Sequence, residues 1–536
     1  MIKNTIFSLS LLTASVISST LVYAITEPTG ITPLGSNEFV FIENEINNEY
    51  FLATRTTDPR FTGASTWTKY SSAQNSLGYM GSGGSFVYNY YADFWLDNSG
   101  MQYPFVGIRC IVLAGGTCPA SGYVSPMAVD EKGIYKILVP YGEANGQTGR
   151  GTFSPQAYEY LRNKAVGSSE SFIMNICSTN QNYDPTKGER CKDASYGAWY
   201  KYSNNITKNG HLKLKSTHAF SEIWVSSDGT PYIPENSELC EVASNGIICK
   251  MVQYNFEGSF SNLPYQFMNM VVNSTNFGFV PEGTDIQFSF NGSTWNNWNI
   301  YKQLAVAPSF IAGTNYIYVL FNNTFFKKLI QYKGSARGTD VFTFAFLNTA
   351  VPQSGYYGFP SGLDLDIYPR EYAVSIRPEN NVAPKKTGFI GRNEPDIEFN
   401  YKVTQSAPKK ADVLTVTVLG KSVQVGSDSY CLFTSPDNKF NVPIPAFLSY
   451  IDNTGKLVKK YNGCNENDLL DLTPAVWSDV PWDKLKTGYF SSTNLKLSFP
   501  MNDEKSKTTI DGTSWLGAVN AEGEVKVDAK WIGVNK

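Results

Sequence analysis

Near its end the chain alternates Val525, Val527, Ala529 and Trp531 with Glu524, Lys526, Asp528 and Lys530. A repeat of two residues puts the apolar side chains on one face and the charges on the other, which is the geometry of a half-buried strand. The same period recurs in Ile286, Phe288 and Phe290 before an Asn291-Gly292 turn, and in Ile317, Val319 and Phe321. It returns in Phe342, Phe344 and Phe346, in Tyr372, Val374 and Ile376, and in Ile397, Phe399, Tyr401 and Val403. Only two segments carry helical signals. One opens at Ser154-Pro155, a capping hydroxyl followed by a first-turn proline, and runs to about Ala165. The other covers about Thr324 to Gln331, with Phe325, Phe326, Leu329 and Ile330 at helical spacing. The expected class is all-β, in sandwiches rather than a parallel sheet.

Composition narrows the function. Aromatic residues make up 14% and charged residues 17% of the 536 residues, which excludes both a disordered chain and a coiled coil. The length suggests about three domains. A net charge of −3 leaves no basic surplus to neutralise phosphates, so nucleic acid is not an expected partner. Lys3, the apolar stretch Ile6 to Ile17 and Val22-Tyr23-Ala24 form the pattern of a secretory signal peptide over residues 1–24. Export agrees with the cysteines, an even set of eight in four close pairs. Proximity favours Cys110–Cys118, Cys177–Cys191, Cys240–Cys249 and Cys431–Cys464 among the about 105 connectivities that eight cysteines allow. An Asn245-Gly246 turn would set Val242 opposite Cys249, so the third pair needs a bulge or a different turn. Zinc is the other use of such residues, but no C-x-x-C occurs and His211 and His218 stand apart from paired thiols.

Catalytic patterns are thin. Two histidines give a His-dependent triad few candidates, and neither G-x-S-x-G nor H-E-x-x-H is present. Gly420-Lys421-Ser422 lacks the first glycine of a phosphate loop, Thr415 standing there, and reads as a hairpin turn between the runs 413–418 and 423–425. Gly81, Gly83 and Gly84 read as a loop. Asp364 and Asp366 offer a carboxylate pair for glycoside hydrolysis, but their alternation with Leu363, Leu365 and Ile367 reads as the solvated face of a strand. Trp295, Trp298 and Tyr301 could form a sugar-stacking platform or simply core packing. A secreted carbohydrate-active β-sandwich enzyme is therefore the alternative class; an outer-membrane barrel fits poorly with four cysteine pairs. No cofactor or metal is implied.

The region 379–395, which with Pro378 just before it carries three prolines and has little apolar content, reads as a linker. It separates residues 25–378, one large β region or two smaller domains, from a last domain over 396–536. Asn209-Gly210 reads as a turn, with a division near 205–212 as a guess. A terminal alternating strand presents a sheet edge, normally a liability; pilus subunits exploit such an edge by lacking one strand and accepting it from a partner.

Several words along the chain carry a resemblance. They include Glu38-Phe39-Val40-Phe41-Ile42-Glu43-Asn44, Asp58-Pro59-Arg60, Gly107-Ile108-Arg109-Cys110 and Arg190-Cys191-Lys192-Asp193. Cys249-Lys250-Met251-Val252, Phe288-Ser289-Phe290-Asn291-Gly292-Ser293, Ser429-Tyr430-Cys431, Phe499-Pro500-Met501 and the closing strand follow in the same order. In this the chain resembles the tip adhesins of the common pilus of enteric bacteria (the Mat fimbria), of the alternate chaperone–usher type. The resemblance implies immunoglobulin-like β-sandwich domains, the C-terminal one pilin-like and short of one strand. It implies a large adhesive region, attachment to host cells and biofilm formation, and export through the periplasm to the fimbrium tip. The implied partners are a periplasmic chaperone, an outer-membrane usher, the major pilin, a host-cell receptor and further copies of the chain. Val525, Val527, Ala529 and Trp531 become the edge strand offered to chaperone or subunit. Ile25 to Ser36, broken by Pro28, Gly30, Pro33 and Gly35, is a poor donor strand, so the subunit is expected to receive a strand and donate poorly. No receptor-binding residue is legible.

Overall fold

The computed structural model describes residues 24–533 except 55–60, 72–73, 111–117, 141–147, 234–237, 262, 264–265, 299–303, 306–309, 339–340, 349–355, 381, 383 and 483. Residues 1–23 of the signal segment, Asp58-Pro59-Arg60 and Tyr301 lie outside the described residues. The chain is all-β, with two α-helices among the described residues. It divides into two compact units, the first made of the segment ending at Phe41 and Tyr50–Asn209, the second of Ile42–Glu49, Gly210–Thr349 and Tyr356–Lys536.

In the first unit the strand Tyr91–Asp97 sets the pattern. Ala92, Phe94 and Leu96 point into a core shared with Phe39, Phe41, Phe105 and Phe153, and the Phe94 and Phe105 rings stack 4.5 Å apart. On its opposite face Asp93 is fully buried. The Tyr183 hydroxyl (2.5 Å), Lys136 N–H (2.8 Å) and Cys191 N–H (2.7 Å) all donate to its carboxylate, tying the Cys177–Cys191 loop to the sheet. Burial outweighs these donors and pushes the Asp93 carboxyl above its ordinary pKa.

Helix α1, Pro155–Asn163, is too short to persist alone. Ser154 Oγ accepts from the Ala157 N–H (3.0 Å) at its start, and Ala157, Tyr158 and Leu161 bury one face. Its C-terminal end is closed by Lys208, which is fully buried and donates to the carbonyls of Leu161 (3.2 Å), Arg162 (2.7 Å) and Lys164 (2.9 Å). A cation at unsatisfied carbonyls answers both their hydrogen-bonding need and the helix dipole. Lys208 belongs to the strand Ala198–Lys215. That strand runs straight through Asn209-Gly210, where the sequence suggests a turn; neither residue takes a positive φ. The Asn209 amide instead donates to Glu38 (2.6 Å). Gly210 lies opposite Gly258, where a Cβ would meet the Glu257 carbonyl at 2.9 Å. Gly81, Gly83 and Gly84 likewise sit in a strand, Tyr79–Ser85, not in a loop.

The cysteines pair as neighbours, with Cα separations of 5.5, 5.8, 4.1 and 5.0 Å for Cys110–Cys118, Cys177–Cys191, Cys240–Cys249 and Cys431–Cys464. The third bridge needs no bulge. Its hairpin turns at Ser244-Asn245, which sets Cys240 directly opposite Cys249. Gly246 is in the following strand, where a Cβ would meet the Phe321 carbonyl at 1.9 Å. The glycine serves close strand approach, not the turn.

The first part of the second unit pairs Gly246–Gly258 with Gly313–Asn322, and Gln266–Val272 with Phe342–Asn348. Trp298 is 4% exposed and its indole N–H donates to the Met270 carbonyl at 2.9 Å, so it is core rather than a sugar platform. Helix α2, Asn323–Gln331, is capped by Asn322 and buries Phe325, Phe326 and Leu329. Ala219–Val225 pairs in parallel with Leu363–Pro369, setting Glu222 beside Asp366. Asp366 is only 8% exposed. The solvated face expected for it is covered because this distant parallel partner and the segment at Gly338 close over it.

The C-terminal part is a β-sandwich. One sheet runs in the order Ala373–Pro378, Ile397–Ala407, Tyr489–Phe499, Ala446–Ile451, Leu457–Asn462; facing it are Leu470–Asp471, Val413–Gly420 and Gly523–Lys530. Val403, Leu414, Val416, Leu448 and Leu497 fill the space between. The stretch 379–395 joins antiparallel neighbours of one sheet, Ala373–Pro378 and Ile397–Ala407, so the strand before it belongs to the last domain. Gly420-Lys421-Ser422 is not a hairpin turn: the strands on either side pair with different partners, and Lys421 carries the chain from one sheet to another.

Replacing Lys208 with Met removes the cation from three helix-end carbonyls. The expected loss is about 3 kcal/mol in the stability of the first unit, read by denaturant unfolding of the mature chain. A loss below about 1 kcal/mol would show that the carbonyls find other donors.

Candidate strand-acceptor site

The closing strand, Gly523–Lys530, is built from its alternation. Val525, Val527, Ala529 and the following Trp531 are half-buried against the C-terminal core, and Glu524, Lys526, Asp528 and Lys530 are exposed. It pairs antiparallel with Val413–Gly420, setting Val418 opposite Val525, Val416 opposite Val527 and Leu414 opposite Ala529. Two contacts fix its end: the Trp531 indole N–H donates to the Lys409 carbonyl (2.9 Å), and the Ile532 N–H to the Asp412 carboxylate (2.6 Å). The exposed Lys526–Asp528 pair at 2.8 Å adds little.

Among the described residues this strand has a ladder partner on one side only. Along its other side runs the opening strand of the domain, Ala373–Pro378, which pairs only with Ile397–Ala407. The two strands come within 8 Å Cα to Cα without a ladder bond between them, and the Tyr372 and Trp531 rings meet edge-on at 5.8 Å. Two rows of unpaired backbone groups thus flank a seam floored by Val374, Ile376, Val525, Val527 and Ala529, all only partly buried. Ala529 is the smallest side chain in its row, between Val527 and Trp531. The structure therefore joins the four sequence-predicted edge residues on one face. It adds Tyr372, Val374 and Ile376, whose alternation was legible but whose membership in the last domain was hidden by the proline-rich stretch after them.

The outer face of the opening strand is held from behind. Arg377 Nε lies 3.4 Å from the Glu222 carboxylate, with Glu222 buried and Arg377 mostly so. Beside Glu222, Asp366 accepts from the Tyr368 hydroxyl and from the Gly338 N–H (3.2 Å). The Arg337 guanidinium stands 4.6 Å over the Tyr368 ring. Phe490 of the C-terminal sheet contacts Trp224 (5.5 Å) and stacks on Tyr232 (5.0 Å), while Arg370 covers Trp482 at 4.5 Å.

Other candidates gather no comparable site. His211 Nε2 bonds Glu43 at 3.1 Å within the sheet, and Lys213 lies 3.8 Å from the same carboxylate; His218 sits in a left-handed turn position at φ 50°. The described residues hold no group of three or more His, Cys, Asp or Glu placed for a metal ion. None of their helices is long and apolar enough to cross a membrane. The segment from Ile25 is fastened to the first unit at its start. The Ile25 N–H donates to the Lys192 carbonyl (3.1 Å), its side chain joins the Trp95–Tyr183 cluster, Glu27 pairs with Lys201, and Thr32–Asn44 is already a strand.

Burial raises the pKa of both Glu222 and Asp366. A carboxyl raised in the folded state stabilises it fully below the unfolded value of about 4, and that contribution is lost as pH rises through the folded value. The melting temperature of the wild type minus that of Glu222→Gln should therefore fall as pH rises above the unfolded value. A difference that stays flat or grows would contradict the buried-acid reading.

Three family models match in chain order. Residues 26–212 match the "E. coli common pilus adhesin EcpD N-terminal domain", 216–364 the "E. coli common pilus adhesin EcpD middle domain" and 371–529 the "EcpD C-terminal domain". The fimbria adhesins EcpD of Escherichia coli K12 and of Escherichia coli O157:H7 are each 35% identical over 525 residues, covering 93% of this chain and 94% of theirs. Among solved structures, the chaperone–tip adhesion subunit complex of Csu pili from Acinetobacter baumannii aligns with 59% of this chain and 99% of its own at 10% identity, TM-score 0.19. CfaE, the adhesive subunit of CFA/I fimbria of enterotoxigenic Escherichia coli, aligns with 58% and 98% at 10% identity, TM-score 0.16. At such TM-scores these two likenesses carry no argument. The sequence relatives decide the matter: the chain belongs to the EcpD family of fimbria adhesins.

Proposed function

We propose that the chain is a fimbrial tip subunit whose C-terminal sandwich lacks one strand and receives it from partners. The observation that carries this reading is the pair of unpaired edges, Ala373–Pro378 and Gly523–Lys530, beside a partly open apolar seam. An alternating strand entering here, with the two edges parted from within 8 Å to the ~9.6 Å that a strand between them needs, would satisfy both rows of backbone groups and cover the seam. A periplasmic chaperone lends that strand, the outer-membrane usher receives the complex, and the N-terminal extension of the major pilin replaces the chaperone. The route ends at the cell surface, at the fimbrium tip. Residues 25 to about 370 form the adhesive region that meets the host-cell receptor and supports biofilm formation, and the pilin-like domain begins at the strand Ala373–Pro378 rather than after 395.

The docked segment from Ile25 supports the terminal place. Ile25 and Glu27 are held by Lys192 and Lys201, and the chain from Thr32 is committed to its own sheet. Such a subunit accepts a strand and has none free to give, so self-association into polymers is disfavoured.

Production of the mature chain with and without the cognate chaperone tests the reading. With the chaperone a soluble one-to-one complex is expected; without it the chain should aggregate. Val527→Asp places a charge in the seam and should abolish the complex while leaving the first unit folded. A stable, soluble monomer made without any chaperone, or a complex unaffected by Val527→Asp, would overturn it. Polymers of the purified chain that resist detergent would overturn the non-donor assignment.

A further inference from the structure

The opening strand has two faces with different owners. Val374 and Ile376 point into the C-terminal core. Ser375 and Arg377, on the alternate face, point at Glu222 of the strand Ala219–Val225, which precedes the sandwich by about 150 residues and matches the middle-domain model. Glu222 is 4% and Ser375 2% exposed. Within the sandwich the opening strand is held by one ladder only, to Ile397–Ala407, because its other edge is the acceptor edge. An edge strand with one ladder is the least restrained element of a sheet, so the contact on its outer face decides how firmly that edge is placed.

We infer that Glu222 is a positioning residue for strand acceptance: through Arg377 it fixes the opening strand, so that the middle domain supplies part of the acceptor site of the pilin-like domain. The inference rests on the acceptor reading above. Breaking a buried ion pair by removing one partner leaves an uncompensated charge, here on the strand that must hold still while a partner strand zips onto it. The neighbouring contacts Trp224–Phe490, Tyr232–Phe490 and Arg370–Trp482 keep the two sheets together when the pair is removed. Loss of Glu222 should therefore loosen the edge without separating the domains. Asp366, Tyr368 and Arg337 complete the charged and titratable groups around Glu222 from the adjoining strand and loop.

The experiment uses the full mature chain with its cognate periplasmic chaperone as the probe. The half-life of the complex is measured for wild type, Glu222→Ala, Arg377→Ala, the double variant, Arg377→Lys and Val527→Asp. Glu222→Ala and Arg377→Ala should each shorten the half-life about tenfold, the double variant should be no worse than either single one, and Arg377→Lys should recover much of the loss. Non-additivity and recovery are readouts that general loss of structure would not produce. Melting of the first unit should not move. An unchanged half-life in both single variants, or fully additive losses, overturns the inference; if Val527→Asp still abolishes the complex in that case, the acceptor reading stands without it. A complex that survives Val527→Asp overturns both.

Discussion

A sheet edge leaves a row of backbone N–H and C=O groups without ladder partners, and the C-terminal sandwich brings two such edges side by side. Along Ala373–Pro378 and Gly523–Lys530 the ladder stops on one side while the apolar floor between them continues. A soluble domain that ended its folding there would keep a template for indiscriminate strand addition. The proposed assembly rests on a strand from another chain completing this pair of edges.

Other elements are closed by contacts within the chain. The first unit closes helix α1 at both ends, with Ser154 at the start and Lys208 at the finish. It also fastens its N-terminal residues to its own surface. Four disulfides brace loops and hairpins in a chain otherwise held by aromatic cores. Among the buried carboxylates, Lys328 and nearby donors outweigh burial at Asp285 and lower its pKa, whereas burial opposes ionisation at Asp93, Glu222 and Asp366. Each of those three joins elements far apart in sequence, as expected where a polar group fixes one arrangement rather than adding stability.

Local rules made much of this legible in the sequence. Period-two alternation located the closing strand, and the Ser154-Pro155 cap located the first helix. Compartment and spacing gave the disulfide pairs. What stayed hidden depended on partners distant along the chain. Asp366 looks solvated until Ala219–Val225 pairs beside it. Asn245-Gly246 looks like a turn, but its glycine is spent on the close approach to Phe321. The prolines of 379–395 suggest a linker because local composition does not reveal that the strands on either side are neighbours. Tyr372 to Ile376 therefore read, from composition alone, as preceding the boundary, while their strand pairs with Ile397–Ala407 beyond it.

Amide hydrogen exchange on the chaperone complex measures the missing strand most directly. Relative to the chain released from its chaperone, amides of Gly523–Lys530 that point away from Val413–Gly420, and those of Ala373–Pro378 that point away from Ile397–Ala407, should be strongly protected. The inner amides of the same strands should change little. Equal exchange at the outer amides in both states would contradict the account, because no strand would then have filled the seam.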